Sequence, residues 1–149
     1  MKRTRSMGII LVALLCSTIS LMAQKQKITT FYQLPESIKT FVVTHFDSLS
    51  VQQVQQDRDL YKIDLVNNGE LEFFKKNLRW KEIKIKRGIP YTILNTLPTP
   101  INQYLRENFP QAKVVEVEYV DDKQVYELKL NNSVELLFDT DGTFLALEN

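Results

Sequence analysis

One long phrase in this chain is written twice, and no other feature limits its fold so tightly. Leu34-Pro35-x-x-Ile38-x-x-Phe41-Val42-x-x-His45-Phe46 returns as Leu97-Pro98-x-x-Ile101-x-x-Tyr104-Leu105-x-x-Asn108-Phe109, about 63 residues later. A repeat of this length is one supersecondary unit used twice. Apolar residues at i, i+4, i+7, i+8 and i+12 predict one face of an amphipathic helix. Pro35 and Pro98 fall where the first turn of a helix tolerates proline.

A second shared phrase follows each predicted helix. Tyr61-x-Ile63-x-Leu65, Glu70-Leu71-x-Phe73 and Trp80-x-x-Ile83 match Tyr126-x-Leu128-x-Leu130, Glu135-Leu136-x-Phe138 and Phe144-x-x-Leu147. Alternating apolar and polar residues predict strands with one buried face. With Val51 to Gln56 and Val114 to Val120 as first strands, each unit reads as a helix and four strands. The polar turns between them, such as Asn67-Asn-Gly69 and Asp121-Asp-Lys123, are short enough to force antiparallel pairing. The expected fold is therefore α+β: tandem helix-plus-four-strand repeats, with helices packed on one face of an antiparallel sheet. The units are read as 24–87 and 97–149, with 88–96 as the connection, sharing one core because neither buries enough alone.

Residues 1–23 are read as a secretory signal: a basic start, Met1 to Ser6, an apolar stretch from Met7 to Met22, and Leu-Met-Ala23 before Gln24 as the cleavage site. Cys16 raises a lipoprotein alternative. Leu15 is too large for the small residue expected before a lipidated cysteine, so simple export to the periplasm is preferred.

From Gln24 onward the chain has no Cys, no Met and a single His, His45. Disulfide frameworks, zinc clusters and Cys nucleophiles lack their residues, and no cofactor or metal is expected. His45, without a partner His or Cys, reads as a helix histidine. Asp139-Thr-Asp141-Gly142, with Glu148 six residues on, resembles the start of a calcium loop. It lacks the middle ligand and reads first as a hairpin turn.

Charge is distributed unevenly. Residues 24–96 hold twelve Lys and Arg against eight Asp and Glu, while residues 97–149 hold four against ten. Lys75, Lys76, Arg79, Lys81, Lys84, Lys86 and Arg87 have only Glu82 among them, so Lys75 to Arg87 is a candidate contact to an anionic envelope surface. Its bland reading is a solvated strand face. Near-neutral overall charge and the lack of any nucleic-acid-binding signature argue against nucleic acid.

Strict alternation puts Leu60, Lys62, Asp64, Glu70, Glu72, Phe74 and Trp80 opposite the helices. Its second-unit counterpart is Val114, Glu116, Glu118, Val125, Glu127, Lys129, Glu135, Leu137 and Phe144. Large aromatics among carboxylates suit a binding surface, so Phe74, Trp80, Glu116, Glu118, Glu127, Glu135, Leu137 and Phe144 are the candidate partner-binding residues. The alternative is that a helix, loop or second protomer covers them.

The phrases Leu97-Pro98, Phe109-Pro110, Tyr126-Glu-Leu-Lys-Leu130 and Phe138-Asp-Thr-Asp-Gly142 resemble the PepSY-like, beta-lactamase-inhibitor-like family of exported bacterial proteins, over essentially residues 30–149. The first unit departs from the pattern, with Asp47 in place of a proline and Phe74-Lys-Lys-Asn77 in place of the acidic turn. The resemblance implies an α+β fold, a periplasmic or surface location and no known enzymatic activity. It carries no catalytic residues and does not imply inhibition of a lactamase. The expected function is a non-catalytic exported module whose open sheet face binds a protein, peptide or envelope component. The rivals are a hydrolase using Glu116, Glu118, Glu127 and Glu135, and a self-associating structural envelope protein.

Overall fold

The computed structural model describes residues 27–47 and 50–148; the expected export signal and Cys16 lie outside them. Helix α1 spans Glu36–His45 and α3 spans Thr99–Asn108, with the short α2, Tyr91–Leu94, before α3. Pro35 and Pro98 sit at the N-caps of α1 and α3, one step before the predicted first-turn position. Each of these helices ends where a Phe, Phe46 or Phe109, leaves helical geometry while its N–H still reaches back four residues.

Among the described residues nine strands pair in chain order, every neighbour antiparallel: β1 Lys27–Thr29, β2 Val51–Gln56, β3 Leu60–Leu65, β4 Gly69–Phe74, β5 Trp80–Lys84, β6 Val114–Val120, β7 Val125–Leu130, β8 Glu135–Asp139 and β9 Phe144–Glu148. Local chemistry fixes the turns. Asp57 Oδ1 accepts from the N–H groups of Asp59 and Leu60 at 2.9 Å each, and Asn67 and Asn68 take the left-handed conformation that asparagine tolerates. The β1 edge strand, the one-turn 3-10 helix Phe31–Gln33 and α2 are elements the periodicity does not signal.

Ile38 and Val42 of α1, Ile93 of α2 and Ile101 of α3 join Ile63, Leu71, Phe73, Ile83, Val117, Leu128, Leu136 and Phe138 in one continuous buried cluster. Two aromatic contacts set the helices on the sheet: Phe41 meets Phe73 edge to face at 5.3 Å, and Tyr104 meets Phe138 the same way at 5.4 Å. The two halves join through β5 and β6, where Ile83 pairs with Val117.

Strict alternation fails at four places, in matching positions of the two halves. The register shifts between Val51 and Gln53 on β2 and between Val114 and Glu116 on β6. It shifts again opposite Glu72 and Phe73, where Phe73 pairs with Trp80, and opposite Leu137 and Phe138, where Phe138 pairs with Phe144. Each bulge inserts one residue, so residues three apart point to the same side of the sheet. This corrects the expected placement of three residues. Val114 is buried at 5% exposure in the core, and Trp80 and Phe144 pack against that core from the helix side. Trp80 lies 6.2 Å from Tyr126, and Phe144 stacks on Tyr104 at 4.5 Å.

Candidate functional site

The helices bury their side chains on one face, leaving the other to polar side chains ordered by strand register. One row crosses the sheet as Lys62, Glu72, Glu82, Glu118, Glu127 and Leu137. The adjacent row runs Asp64, Glu70, Lys84, Glu116, Lys129 and Glu135. Glu72, Glu82, Glu118 and Glu127 are thus direct neighbours on four adjacent strands, an arrangement that like-charge repulsion opposes.

Lysines within the rows, and Lys81 at the bulge beside them, offset that repulsion. Lys81, the inserted residue of the β5 bulge, reaches Glu118 at 2.9 Å and Glu72 at 3.4 Å. Lys84 reaches Glu82 at 2.7 Å and Glu116 at 3.5 Å, and Lys62 reaches Glu72 at 2.9 Å. The basic first half and acidic second half therefore meet at the β5–β6 seam, as Lys81–Glu118 and Lys84–Glu116. Glu82 is the most enclosed of the carboxylates, only 8% exposed.

Burial and the like charge of Glu82 push the Glu116 carboxyl above the usual glutamate range, against the pull of Lys84. Burial opposes the charges of Lys81 and Lys84, but their bonds to Glu118 and Glu82, with the surrounding carboxylates, hold both ammonium groups above the usual lysine range. Carboxylate oxygens of Glu82, Glu116 and Glu118 all lie within 4.8 Å of one another. That spacing is compatible with a shared proton or a hard cation.

Of the candidate partner-binding residues, Phe74, Glu116, Glu118, Glu127, Glu135 and Leu137 lie on this face, whereas Trp80 and Phe144 do not. Phe74 is half-buried beneath Lys76, whose ammonium sits 5.1 Å from the ring centroid. The sequence shows Lys81 and Lys84 only as part of a basic run, whereas the fold pairs them with Glu118 and Glu116 of the second half. No local pattern signals that pairing, which exists only because β5 lies beside β6.

The other candidates resolve as structure. Asp139 Oδ1 accepts from the N–H groups of Asp141 and Thr143 at 3.0 and 2.8 Å, closing a hairpin turn. Glu148 lies far along β9 opposite Glu135, not beside that turn. His45 Nδ1 lies 2.9 Å from Thr92 Oγ1, tying the end of α1 to α2, and burial holds its imidazole below the usual histidine range. The basic run is spread over several surroundings: Lys75 bonds Gln56 and the Asp57 carbonyl, Lys76 pairs with Asp121, and Arg79 lies over Tyr119. Among the described residues, no helix is long and apolar enough to cross a membrane.

A helix-backed antiparallel sheet with a charged open face defines an α+β module. The chain belongs to the family described as "Putative beta-lactamase-inhibitor-like, PepSY-like", whose model matches residues 20–78 and again 69–146. Its fold is similar to a "putative periplasmic protein" of the DUF2874 family from Bacteroides vulgatus, with 32% identity and a TM-score of 0.74, over 85% of this chain and 99% of that one. It is also similar to a "putative calcium-regulated periplasmic protein" from Bacteroides thetaiotaomicron, with 31% identity and a TM-score of 0.73, over 83% of this chain and 97% of that one. No curated protein matches the chain.

Proposed function

We propose that the chain is a non-catalytic periplasmic binding module, built from two copies of one unit, whose open sheet face takes a basic segment of a protein or peptide. The observation that carries this reading is the pair of rows on the open face, where the eight carboxylates Asp64, Glu70, Glu72, Glu82, Glu116, Glu118, Glu127 and Glu135 outnumber the five lysines set among them, Lys62, Lys81, Lys84, Lys123 and Lys129. A basic partner gains from that surplus, and Phe74 and Leu137 add apolar area on the same face. Catalysis by Glu116, Glu118, Glu127 and Glu135 is disfavoured because the hollow they border holds only about 50 Å³ and gives a substrate no enclosure.

The test is affinity capture of periplasmic and outer-membrane extract on the immobilised protein, followed by binding measurements on the partner recovered. Glu118→Lys with Glu127→Lys should slow association at least about tenfold, and the difference should shrink in high salt. Unchanged association moves the binding surface elsewhere. Sedimentation at several concentrations separates this reading from self-association, and mass spectrometry of the native protein checks for a start at Gln24 and for lipid on Cys16.

A second reading is favoured by the convergence of Glu82, Glu116 and Glu118 together with the calcium regulation named for a similar protein. Here Ca²⁺ displaces Lys84 from the carboxylates and so resets the charge of the face. Calorimetric titration with Ca²⁺ tests it: saturable binding abolished by Glu116→Gln supports it, and no heat at millimolar Ca²⁺ rejects it.

A further inference from the structure

On the helix side of the sheet, away from the acidic face, a groove of about 490 Å³ lies between the connection after β5, α2, α3 and the start of β6. Its body is apolar, formed chiefly by Leu94, Leu105 and Phe109. No Asp or Glu lines it, while Arg87, Arg106 and Lys113 all do, each from a different element. None of these three cations makes an ion pair within the described residues. Gly88, at φ 109°, turns the chain there and lets the Lys113 stem lie against it.

Asn102 supplies a further element of recognition. It lines the groove, is only 9% exposed, and donates through Nδ2 to the Leu94 carbonyl at 2.7 Å. Because a carbonyl can only accept, that bond fixes which way the amide points. Its Oδ1 accepts no hydrogen bond among the described residues and is not sealed from solvent, so a ligand N–H or O–H in the groove can donate to it.

We propose that this groove binds the free C-terminal end of an apolar peptide. The terminal carboxylate meets Arg106 and Lys113, the last side chain enters the apolar body, and a peptide N–H donates to Asn102 Oδ1. A fatty-acid anion would match the charge and the apolar body but carries no donor for Asn102, so the peptide is the better fit. The site is independent of the acidic face, which lies on the other side of the sheet.

The experiment titrates the purified protein with acetyl-Ala-Ala-Leu-Leu carrying a free carboxylate, with its C-terminal amide, and with dodecanoate, following binding by calorimetry and by amide chemical shifts. The free acid should saturate with shifts at Leu94, Asn102, Leu105 and Phe109, and the amide should bind at least about tenfold more weakly. Arg106→Glu and Lys113→Glu, both at exposed positions, should each weaken the free acid at least about fivefold while leaving the circular dichroism spectrum unchanged. Glu118→Lys on the far face should leave it unaltered, which keeps failure here separate from failure of the sheet-face reading. Equal binding of acid and amide overturns the proposal, as do binding of dodecanoate without the peptide, a concentration-dependent dimer that closes the groove, and the absence of saturation.

Discussion

Tyr104 of α3 and Phe144 of β9 stack nearly parallel, ring centroids 4.5 Å apart and planes 11° from parallel. Phe138 meets both rings edge-on, at 5.4 and 5.8 Å, so the three aromatics lock α3 to the last hairpin. The contact exists because β9 carries an inserted residue opposite Leu137 and Phe138, which turns Phe144 toward the helix.

Truncating these rings should therefore destabilise the fold. Phe138→Ala and Phe73→Ala, fully buried, should each cost about 3–5 kcal/mol, and the partly buried Phe144→Ala and Trp80→Ala about 2–4 kcal/mol. Urea unfolding checks this. Variants of Phe144 or Trp80 as stable as the parent protein would show that the rings face solvent.

The turn at Gly142 should not accept a side chain. Its φ is +88°, and an added Cβ would lie 2.8 Å from Pro98 Cβ at the start of α3. Gly142→Ala should lower stability by about 2–3 kcal/mol, through backbone strain and displacement of the helix start. Asp139→Asn, which keeps an acceptor for the Asp141 and Thr143 N–H groups, should cost far less.

Lys84 neutralises the most enclosed carboxylate on the open face. Lys84→Met should cost about 1–3 kcal/mol by leaving Glu82 without its closest cation, and adding Glu82→Gln should restore most of the loss. A double-mutant cycle by chemical denaturation measures the coupling. Strictly additive losses would show that the pair is not coupled.

The lowered pKa of His45 makes stability depend on pH with a definite sign. The unfolded chain takes up the proton more readily, so the contribution is fully present above the ordinary histidine value of 6.5 and is lost as pH falls through 6.5 toward the lower folded value. Melting temperature should fall between pH 7.5 and 5.5 more steeply in the parent protein than in His45→Asn, the residue found at the matching position 108. Identical pH profiles would leave His45 without that role.

How much of this could be read in advance depends on the range of the interaction concerned. The helices over residues 36–45 and 99–108, and eight of the nine strands, follow from local periodicity and turn chemistry, because apolar spacing decides which face a helix or regular strand must bury. The acidic residues Glu116, Glu118, Glu127 and Glu135 could be placed on the open face by the same rule. Trp80, Val114 and Phe144 could not, because a bulge shifts side-chain direction by one residue and is set by pairing with a neighbouring strand. Three-residue β1 and four-residue α2 are too short for periodicity to register; the first exists by pairing with β2, the second by burying Ile93. Opposite charge in the two halves was visible as a count, but the pairing of Lys81 with Glu118 and Lys84 with Glu116 required β5 to lie beside β6. Residues more than thirty positions apart become neighbours only when the sheet closes that seam, and no local pattern encodes which carboxylate each lysine will meet.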